Sequence, residues 1–146
     1  MPRSRTALRP ARGFTLVELM VVIVILGLLA TVVMINVLPS QDRAMIEKAR
    51  ADIAVLEQAV ESYRLDTLAY PPNDAGLDAL LRAPAGLTRP DRYRQGGYIR
   101  RLPADPWGNP YQYRQPGRNG VFDIYSFGAD GREGGEGNDA DIGNWN

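Results

Sequence analysis

The feature that most constrains this chain is an uncharged and almost wholly apolar run over residues 19–38. A helix rises about 1.5 Å per residue, so about 20 such residues span roughly 30 Å, the thickness of a bilayer's hydrocarbon core. One carboxylate, Glu18, stands immediately before the run. The run therefore predicts a membrane-spanning helix, and the acid at its start needs an explanation.

The segment before the run has the composition of a leader, because it is basic, contains prolines and lacks periodicity. Arginines on one side of a span predict a cytoplasmic N-terminus and an exported C-terminal part. The run is not followed by the Ala-x-Ala pattern of an ordinary secretory signal, so an uncleaved signal anchor is one interpretation. The basic residues are Arg3, Arg5, Arg9 and Arg12.

Composition excludes several classes of function. The chain has no Cys and no His, so it lacks thiol chemistry, the usual zinc sites and the common Ser-His and Cys-His catalytic pairs. The formal net charge is zero, but the sequence after Val121 carries six acids against one arginine. That balance argues against a nucleic-acid partner, which would require a basic face.

A six-residue segment after the basic leader resembles the class III leader of type IV pilins and pseudopilins: Gly13-Phe14-Thr15-Leu16-Val17-Glu18. The resemblance implies that a dedicated membrane peptidase cuts after Gly13. It also implies that Phe14, the new amino-terminal residue, is N-methylated.

Glu18 has two physical interpretations. A carboxylate in mid-bilayer costs about 2.5–3.5 kcal/mol on insertion scales, and less near an interface. Glu18 therefore either lies at headgroup level or pairs with a cation. Cleavage at Gly13 would create such a cation, the Phe14 amine, and an acid that meets the amine of a neighbouring subunit would fix the register between packed helices.

Helical periodicity continues beyond the membrane segment. Apolar residues recur at spacings of three and four, which predicts one buried face on a helix that extends over residues 14–65. Pro39 is predicted to kink this helix, because proline lacks a backbone donor and clashes with the preceding turn. The residues of the face are Ile46, Ala49, Ile53, Leu56, Val60 and Tyr63.

The rest of the chain predicts a small sheet. Residues 74–81 read as a short helix, and residues 111–114 and 121–127 read as strands separated by a turn. The expected fold is therefore α+β: a long N-terminal α-helix, transmembrane in its first half, packed on a small antiparallel β-sheet domain in the manner of pilins.

Several further segments are similar to a narrower family, the major pseudopilins of type II secretion systems. They are Tyr70-Pro71, Gly76-Leu77-Asp78-Ala79-Leu80, Leu102-Pro103-Ala104-Asp105-Pro106-Trp107-Gly108-Asn109-Pro110-Tyr111, and the ending from Gly128-Ala129-Asp130-Gly131 to Gly143-Asn144-Trp145. One position departs from the pattern: the family commonly has a helix proline where this chain has Ile35, and the nearby proline here is Pro39.

The resemblance implies an organisation and a set of partners. Residues 1–13 are expected to be a cleaved leader, residues 14–38 the transmembrane and assembly helix, and residues 39–146 a periplasmic globular domain that includes the second half of the long helix. The expected protein is a single-pass inner-membrane protein that assembles into a helical homo-oligomeric filament in the periplasm. Its expected partners are the prepilin peptidase, the minor pseudopilins and the inner-membrane assembly platform.

An acidic loop over residues 127–141 is the candidate ligand site. Its five glycines cannot bury a core, and calcium prefers carboxylate and carbonyl oxygens, which such a backbone can wrap around an ion. The residues alone leave open a calcium site or a solvated acidic loop. The family resemblance implies one structural calcium, held by the side chains of Asp130, Asp139 and Asp141 and the carbonyl of Phe127.

Three functions are compatible with these features. The first is a structural subunit of a periplasmic pseudopilus that supports export of folded proteins across the outer membrane. The second is an adhesion or motility pilin of type IV, which the Asp-Pro-Trp-Gly-Asn-Pro-Tyr segment and the acidic ending disfavour. The third is a membrane-anchored hydrolase using paired carboxylates, which the lack of catalytic motifs disfavours, so we expect no enzyme activity.

Overall fold

The computed structural model describes residues 13–146, except for the side chains of residues 34–40. It contains one long helix, α1 (Leu16–Thr67), and three short strands, β1 (Gln112–Arg114), β2 (Asp123–Ser126) and β3 (Ile142–Gly143). Short 3₁₀ helices lie at Gly76–Leu80, Pro90–Arg92 and Gly137–Asp139. The predicted α+β class is confirmed. The leader residues 1–12 lie outside the described residues. Helix α1 continues through Ile35 and Pro39, and the kink expected at Pro39 stays a prediction.

Contacts divide the chain between Pro39 and Ser40. In the first unit, α1 includes a segment long and apolar enough to cross a membrane, Leu16–Val33. None of this segment is buried by the rest of the chain. A helix satisfies its own backbone hydrogen bonds, so a continuous apolar surface of this length is suited to lipid or to other apolar helices.

The second unit, from Ser40 to Asn146, is built on the other half of α1. The predicted apolar face is confirmed: Ala49, Ile53, Leu56, Val60 and Tyr63 are each at most 2% exposed, and Ile46 is partly buried against the same core. The partners that complete this core come from the 3₁₀ helix Gly76–Leu80, from the sheet and from residues next to its strands, and they include Leu77, Ala79, Leu80, Tyr111, Phe122, Ile124 and Ile142.

The sheet is antiparallel, with the strand order β1-β2-β3. Tyr113 pairs with Ile124 between β1 and β2, and Ser126 pairs with Ile142 between β2 and β3. Both predicted strands are present but shorter than expected, because Tyr111 and residues 121, 122 and 127 lie outside the ladder. The strand β3 was not predicted, since a two-residue strand has no alternation to detect.

Two asparagine side chains extend this sheet beyond its strands. Asn144 accepts the Ile124 amide N–H through Oδ1, and its own backbone N–H donates to the Ile124 carbonyl, each at 3.1 Å. Just after β1, Asn73 Oδ1 accepts the Gln115 amide N–H at 2.8 Å, and Asn73 Nδ2 donates to the Gln115 carbonyl. The Asn73 side-chain amide therefore makes the pair of bonds that a neighbouring strand would otherwise make, and Asn144 makes such a pair with one backbone and one side-chain group.

Two tyrosines connect the sheet side of the unit to acceptors on α1 and on the segment that follows it. The Tyr111 hydroxyl donates to Asp52 on α1 at 3.0 Å, and the Tyr113 hydroxyl donates to the Pro71 carbonyl at 3.0 Å. Burial raises the pKa of both hydroxyls well above the ordinary value of 10.0, and the carboxylate of Asp52 raises the pKa of Tyr111 further.

These pKa shifts predict a loss of stability in alkali. Above pH 10 the unfolded chain releases tyrosine protons that the folded chain retains, so the free energy of unfolding falls as pH rises. We expect a slope of up to about 1.4 kcal/mol per pH unit for each buried tyrosine. Denaturant unfolding of the full chain in non-ionic detergent between pH 8 and pH 11 measures it. Tyr111→Phe should make the decline shallower, and an unchanged decline would contradict this explanation.

Candidate functional site

The start of α1 carries the first candidate site. Thr15 Oγ1 accepts the Glu18 amide N–H at 3.2 Å, and the Thr15 carbonyl accepts the Leu19 amide N–H at 3.2 Å. Thr15 is therefore the residue that caps the helix, and Glu18 lies in the first turn, where a negative charge is favourable to the helix dipole. The Thr-x-x-Glu spacing of a capping box is a sequence signal that could have revealed this role of Thr15.

The predicted cleavage position is accessible. Gly13 and Phe14 precede the helix, the Phe14 side chain is 85% exposed, and a Cβ built at Gly13 meets no atom within 4 Å. Glu18 is exposed as well. The three predicted residues therefore lie exposed at or just before the start of α1, and the pairing of Glu18 with the amine of another copy stays a prediction.

The second candidate site is the acidic loop between β2 and β3. All five of its glycines have positive φ, between 63° and 97°, a conformation that other residues rarely adopt. The two arms of the loop are joined by a hydrogen bond from the Ala129 amide N–H to the Asn138 carbonyl at 2.8 Å. A Cβ at Gly128 would lie 2.7 Å from that same carbonyl oxygen, so glycine permits this close approach.

Asp141 is the predicted ligand that fits a cation best. Its Oδ2 accepts the Gly134 amide N–H at 3.0 Å, whereas its Oδ1 is buried and has no hydrogen-bond partner. An unpaired buried carboxylate oxygen is costly, and a hard cation would compensate it. The donors that this loop offers, carboxylate and carbonyl oxygens, are the ones calcium prefers.

The other predicted ligands are less confined. Asp130 Oδ1 accepts the Arg132 amide N–H at 3.0 Å, and Asp139 is exposed. Glu133 of the same loop is exposed and pairs with Arg118 at 2.6 Å. Across residues 13–146, leaving out the side chains of 34–40, no group of three or more His, Cys, Asp or Glu side chains is placed to hold a metal ion. The ligand set of Asp130, Asp139, Asp141 and the Phe127 carbonyl stays a prediction.

The base of the loop rests on a buried carboxylate that sequence reasoning missed. Asp105 is 4% exposed; its Oδ1 accepts the amide N–H groups of Trp107 at 3.1 Å and Asn109 at 2.7 Å. Its Oδ2 accepts the Ser126 hydroxyl at 2.6 Å, and Ser126 Oγ accepts the Gly128 amide N–H at 3.1 Å. The turn that contains Asp105 is thereby joined to the first residues of the loop.

A second buried carboxylate fixes the turn beside the loop. Asp123, 3% exposed, accepts the amide N–H of Arg118 at 2.6 Å and that of Asn119 at 3.2 Å. This places Arg118 where it pairs with Glu133 of the loop. The sequence gives no sign of either buried carboxylate, because an isolated Asp near turn residues is usually exposed.

Two family models match the chain. The one described as "Type II secretion system (T2SS), protein G" matches residues 36–145, and the one described as "Prokaryotic N-terminal methylation motif" matches residues 8–34. Together they cover both candidate sites.

Individual proteins are similar over nearly the whole chain. The "Type II secretion system core protein G" of Pseudomonas aeruginosa is 52% identical over 94% of this chain and 96% of its own length. The protein of the same name from Vibrio cholerae is 54% identical over 95% of this chain and 94% of its own. The solved major pseudopilin of the type 2 secretion system of enterohaemorrhagic Escherichia coli is 44% identical, with a TM-score of 0.65 over 75% of this chain and 94% of that one.

The close approach at Gly128 predicts a specific sensitivity. Gly128→Ala should destabilise the folded chain by about 1–3 kcal/mol more than Gly137→Ala, because a methyl group at Gly128 would overlap the opposite arm of the loop. Gly137 is a matched control: its φ of 63° is close to the 71° of Gly128, but a Cβ there meets no atom within 4 Å. Thermal unfolding of the full chain in detergent with EDTA measures the difference. Equal losses of stability in Gly128→Ala and Gly137→Ala would show that backbone strain alone causes the destabilisation.

Proposed function

The chain belongs to the type II secretion system protein G family, and from this membership we propose that it self-assembles into the periplasmic pseudopilus that supports export of folded proteins across the outer membrane. The observation that carries the proposal is the exposed apolar half of α1. Such a surface is stable in lipid while the subunit is stored, and against the helices of other copies once a filament forms.

Processing at the membrane end follows from the same membership. The N-methylation motif covers residues 8–34, and the proposed peptidase product begins at Phe14. The new amine and the Glu18 carboxylate carry opposite charges at the same end of α1. Pairing between the Glu18 of one copy and the Phe14 amine of the next would set the axial register of the filament.

The finer assignments of location and partners are part of the proposal. We place the chain in the inner membrane as a single-pass protein with a cytoplasmic N-terminus and a periplasmic C-terminal domain, in agreement with the basic leader. Minor pseudopilins and the inner-membrane assembly platform are the proposed partners. The relatives named as secretion core proteins favour this role over an adhesion or motility pilin, and the family is a structural one, so we propose no catalytic activity.

Calcium is the proposed structural cofactor of the acidic loop. The support is the buried, unpartnered Oδ1 of Asp141, together with a glycine backbone that brings the two arms of the loop into contact. The residues that would hold the ion are Asp141, Asp130, Asp139 and the carbonyl of Phe127. An ion bound there would offset part of the negative charge of the loop and link the ends of the loop between β2 and β3.

We predict that calcium stabilises the folded chain. An ion that binds only the folded state adds about 2.7 kcal/mol when its concentration is a hundredfold above Kd. Excess EDTA should therefore lower the Tm of the full chain in non-ionic detergent, and added calcium should restore it. Asp141→Asn should remove the calcium-dependent shift.

Glu133→Gln is the matched control for that experiment. It neutralises an exposed carboxylate of the same loop whose partner is Arg118, so the calcium-dependent shift should persist. A Tm of the unsubstituted chain that is insensitive to EDTA and to calcium would contradict the proposed site.

Assembly should depend on Glu18. In a strain that lacks the gene, exported proteins should accumulate in the periplasm; plasmid-borne wild type should restore secretion, and Glu18→Gln should not. A charge-assisted contact contributes about 1.5–3 kcal/mol, and the filament would lose one such contact at every subunit. The measurements are the ratio of secreted to periplasmic exoprotein and the filaments in sheared fractions.

Glu47→Gln is the control for this assay. Glu47 is an exposed acid on α1 beyond the membrane segment, paired with Arg50 at 3.2 Å, and its loss should leave secretion intact. Normal filaments with Glu18→Gln would contradict the proposed pairing. Normal secretion and lost twitching in the gene deletion would instead identify a motility pilin.

A further inference from the structure

We propose that Asp105 and Ser126 are positioning residues for the calcium loop: they orient the peptide between Phe127 and Gly128 and so preset the Phe127 carbonyl for the ion. The inference rests on the proposed calcium site. It goes beyond that site by assigning a role to a buried hydrogen-bonded pair that contributes no ligand of its own in the proposed set.

Asp105 is held rigidly. Two amide N–H groups of its own turn, from Trp107 and Asn109, bind Oδ1, and the Asp105 amide N–H donates to the Asn109 carbonyl at 2.8 Å. The turn also pairs Ala104 with Pro110 as an isolated antiparallel bridge. Pro106 and Pro110 each have a fixed φ, so the turn that carries the Asp105 carboxylate is rigid.

The direction of the hydrogen bonds in this chain is determined. A carboxylate only accepts, so the Ser126 hydroxyl uses its single proton on Asp105 Oδ2, at 2.6 Å. The hydroxyl oxygen then presents its lone pairs to the Gly128 amide N–H, at 3.1 Å. Both Ser126 and Asp105 are buried, at 0% and 4% exposure, so water does not compete for these bonds.

Fixing the Gly128 N–H also fixes the carbonyl before it. The only cis peptide bond in the described chain is Gln115-Pro116, so the peptide between Phe127 and Gly128 is trans, and its C=O points opposite to its N–H. The Phe127 carbonyl therefore points away from Ser126. Among the described turn, loop and side-chain hydrogen bonds, none ends on that carbonyl, and a carbonyl that faces away from Ser126 is placed to present its lone pairs to the loop.

Orientation of this kind affects affinity, because a ligand that is already fixed loses little freedom when the ion binds. Groups that orient metal ligands typically change metal affinity by about 10–100-fold when they are removed. Without the Ser126 hydroxyl, the peptide at the start of the loop would be free to rotate next to the flexible Gly128.

The test is calcium affinity, separated from stability. Isothermal titration of calcium chloride into the full chain in non-ionic detergent should give a Kd for Ser126→Ala about tenfold weaker than for the unsubstituted chain. Tyr113→Phe is the matched control. It also deletes one hydroxyl, which donates to the buried Pro71 carbonyl at 3.0 Å, away from Asp105 and the loop. Tyr113→Phe should lower the Tm in EDTA and leave Kd unchanged.

Asp105→Asn provides the second variant, because it removes the acceptor that directs the Ser126 proton. If the two residues act through one series of hydrogen bonds, their effects are not additive. The double variant should then bind calcium about as weakly as the single variant with the higher Kd. Near-UV circular dichroism at saturating calcium establishes that each variant is folded.

The possible results separate the two proposals. Absence of calcium binding by the unsubstituted chain would refute the calcium site itself. Tight binding by the unsubstituted chain with an equal Kd for Ser126→Ala would overturn the positioning role while leaving the site in place. Loss of folded structure in both single variants at saturating calcium would also overturn it, because the pair would then support the fold in general.

Discussion

The burial of one face of α1 is the contact on which the rest of the second unit depends. Three strands of two to four residues do not form a stable sheet by themselves, and this sheet acquires a core only because Phe122, Ile124 and Ile142 belong to the same buried cluster as the α1 face. The helix therefore has two surfaces with different requirements: an almost wholly apolar surface over Leu16–Val33, and a single buried apolar stripe from Ala49 to Tyr63.

Much of this was predictable because helices repeat. The run over 19–38 and the stripe from Ala49 to Tyr63 are periodic or continuous over many residues, so composition and spacing were sufficient. The function was predicted from the resemblance to a family, which rests on contiguous segments of the sequence. The two-residue strand β3 and the 3₁₀ geometry at Gly76–Leu80 were beyond that reasoning, since neither carries a repeating pattern. The acidic loop was found from its glycines and acids, but composition does not define which oxygens converge.

The polar contacts that organise the loops were the least predictable. Asp105 and Ser126 are 21 residues apart, and Asn73 and Gln115 are 42 apart, so no local pattern joins them. Loops of this length have few apolar side chains to bury. Buried hydrogen bonds to carboxylates and amides fix the conformation of these loops instead. Thr15 is the exception, because its partner Glu18 is only three residues away and the pattern is local.

The short strand edges and the asparagine beside β1 have a consequence for the proposed assembly of many copies of this chain. Exposed strand edges invite pairing with strands of neighbouring molecules, which leads to disordered aggregates. Here the edge strand β3 is two residues long, and next to the edge strand β1 the Asn73 side chain occupies the backbone N–H and carbonyl of Gln115. Short edges that are partly occupied in this way disfavour pairing between the strands of neighbouring copies, so in the proposed filament the helices would set the order of the subunits.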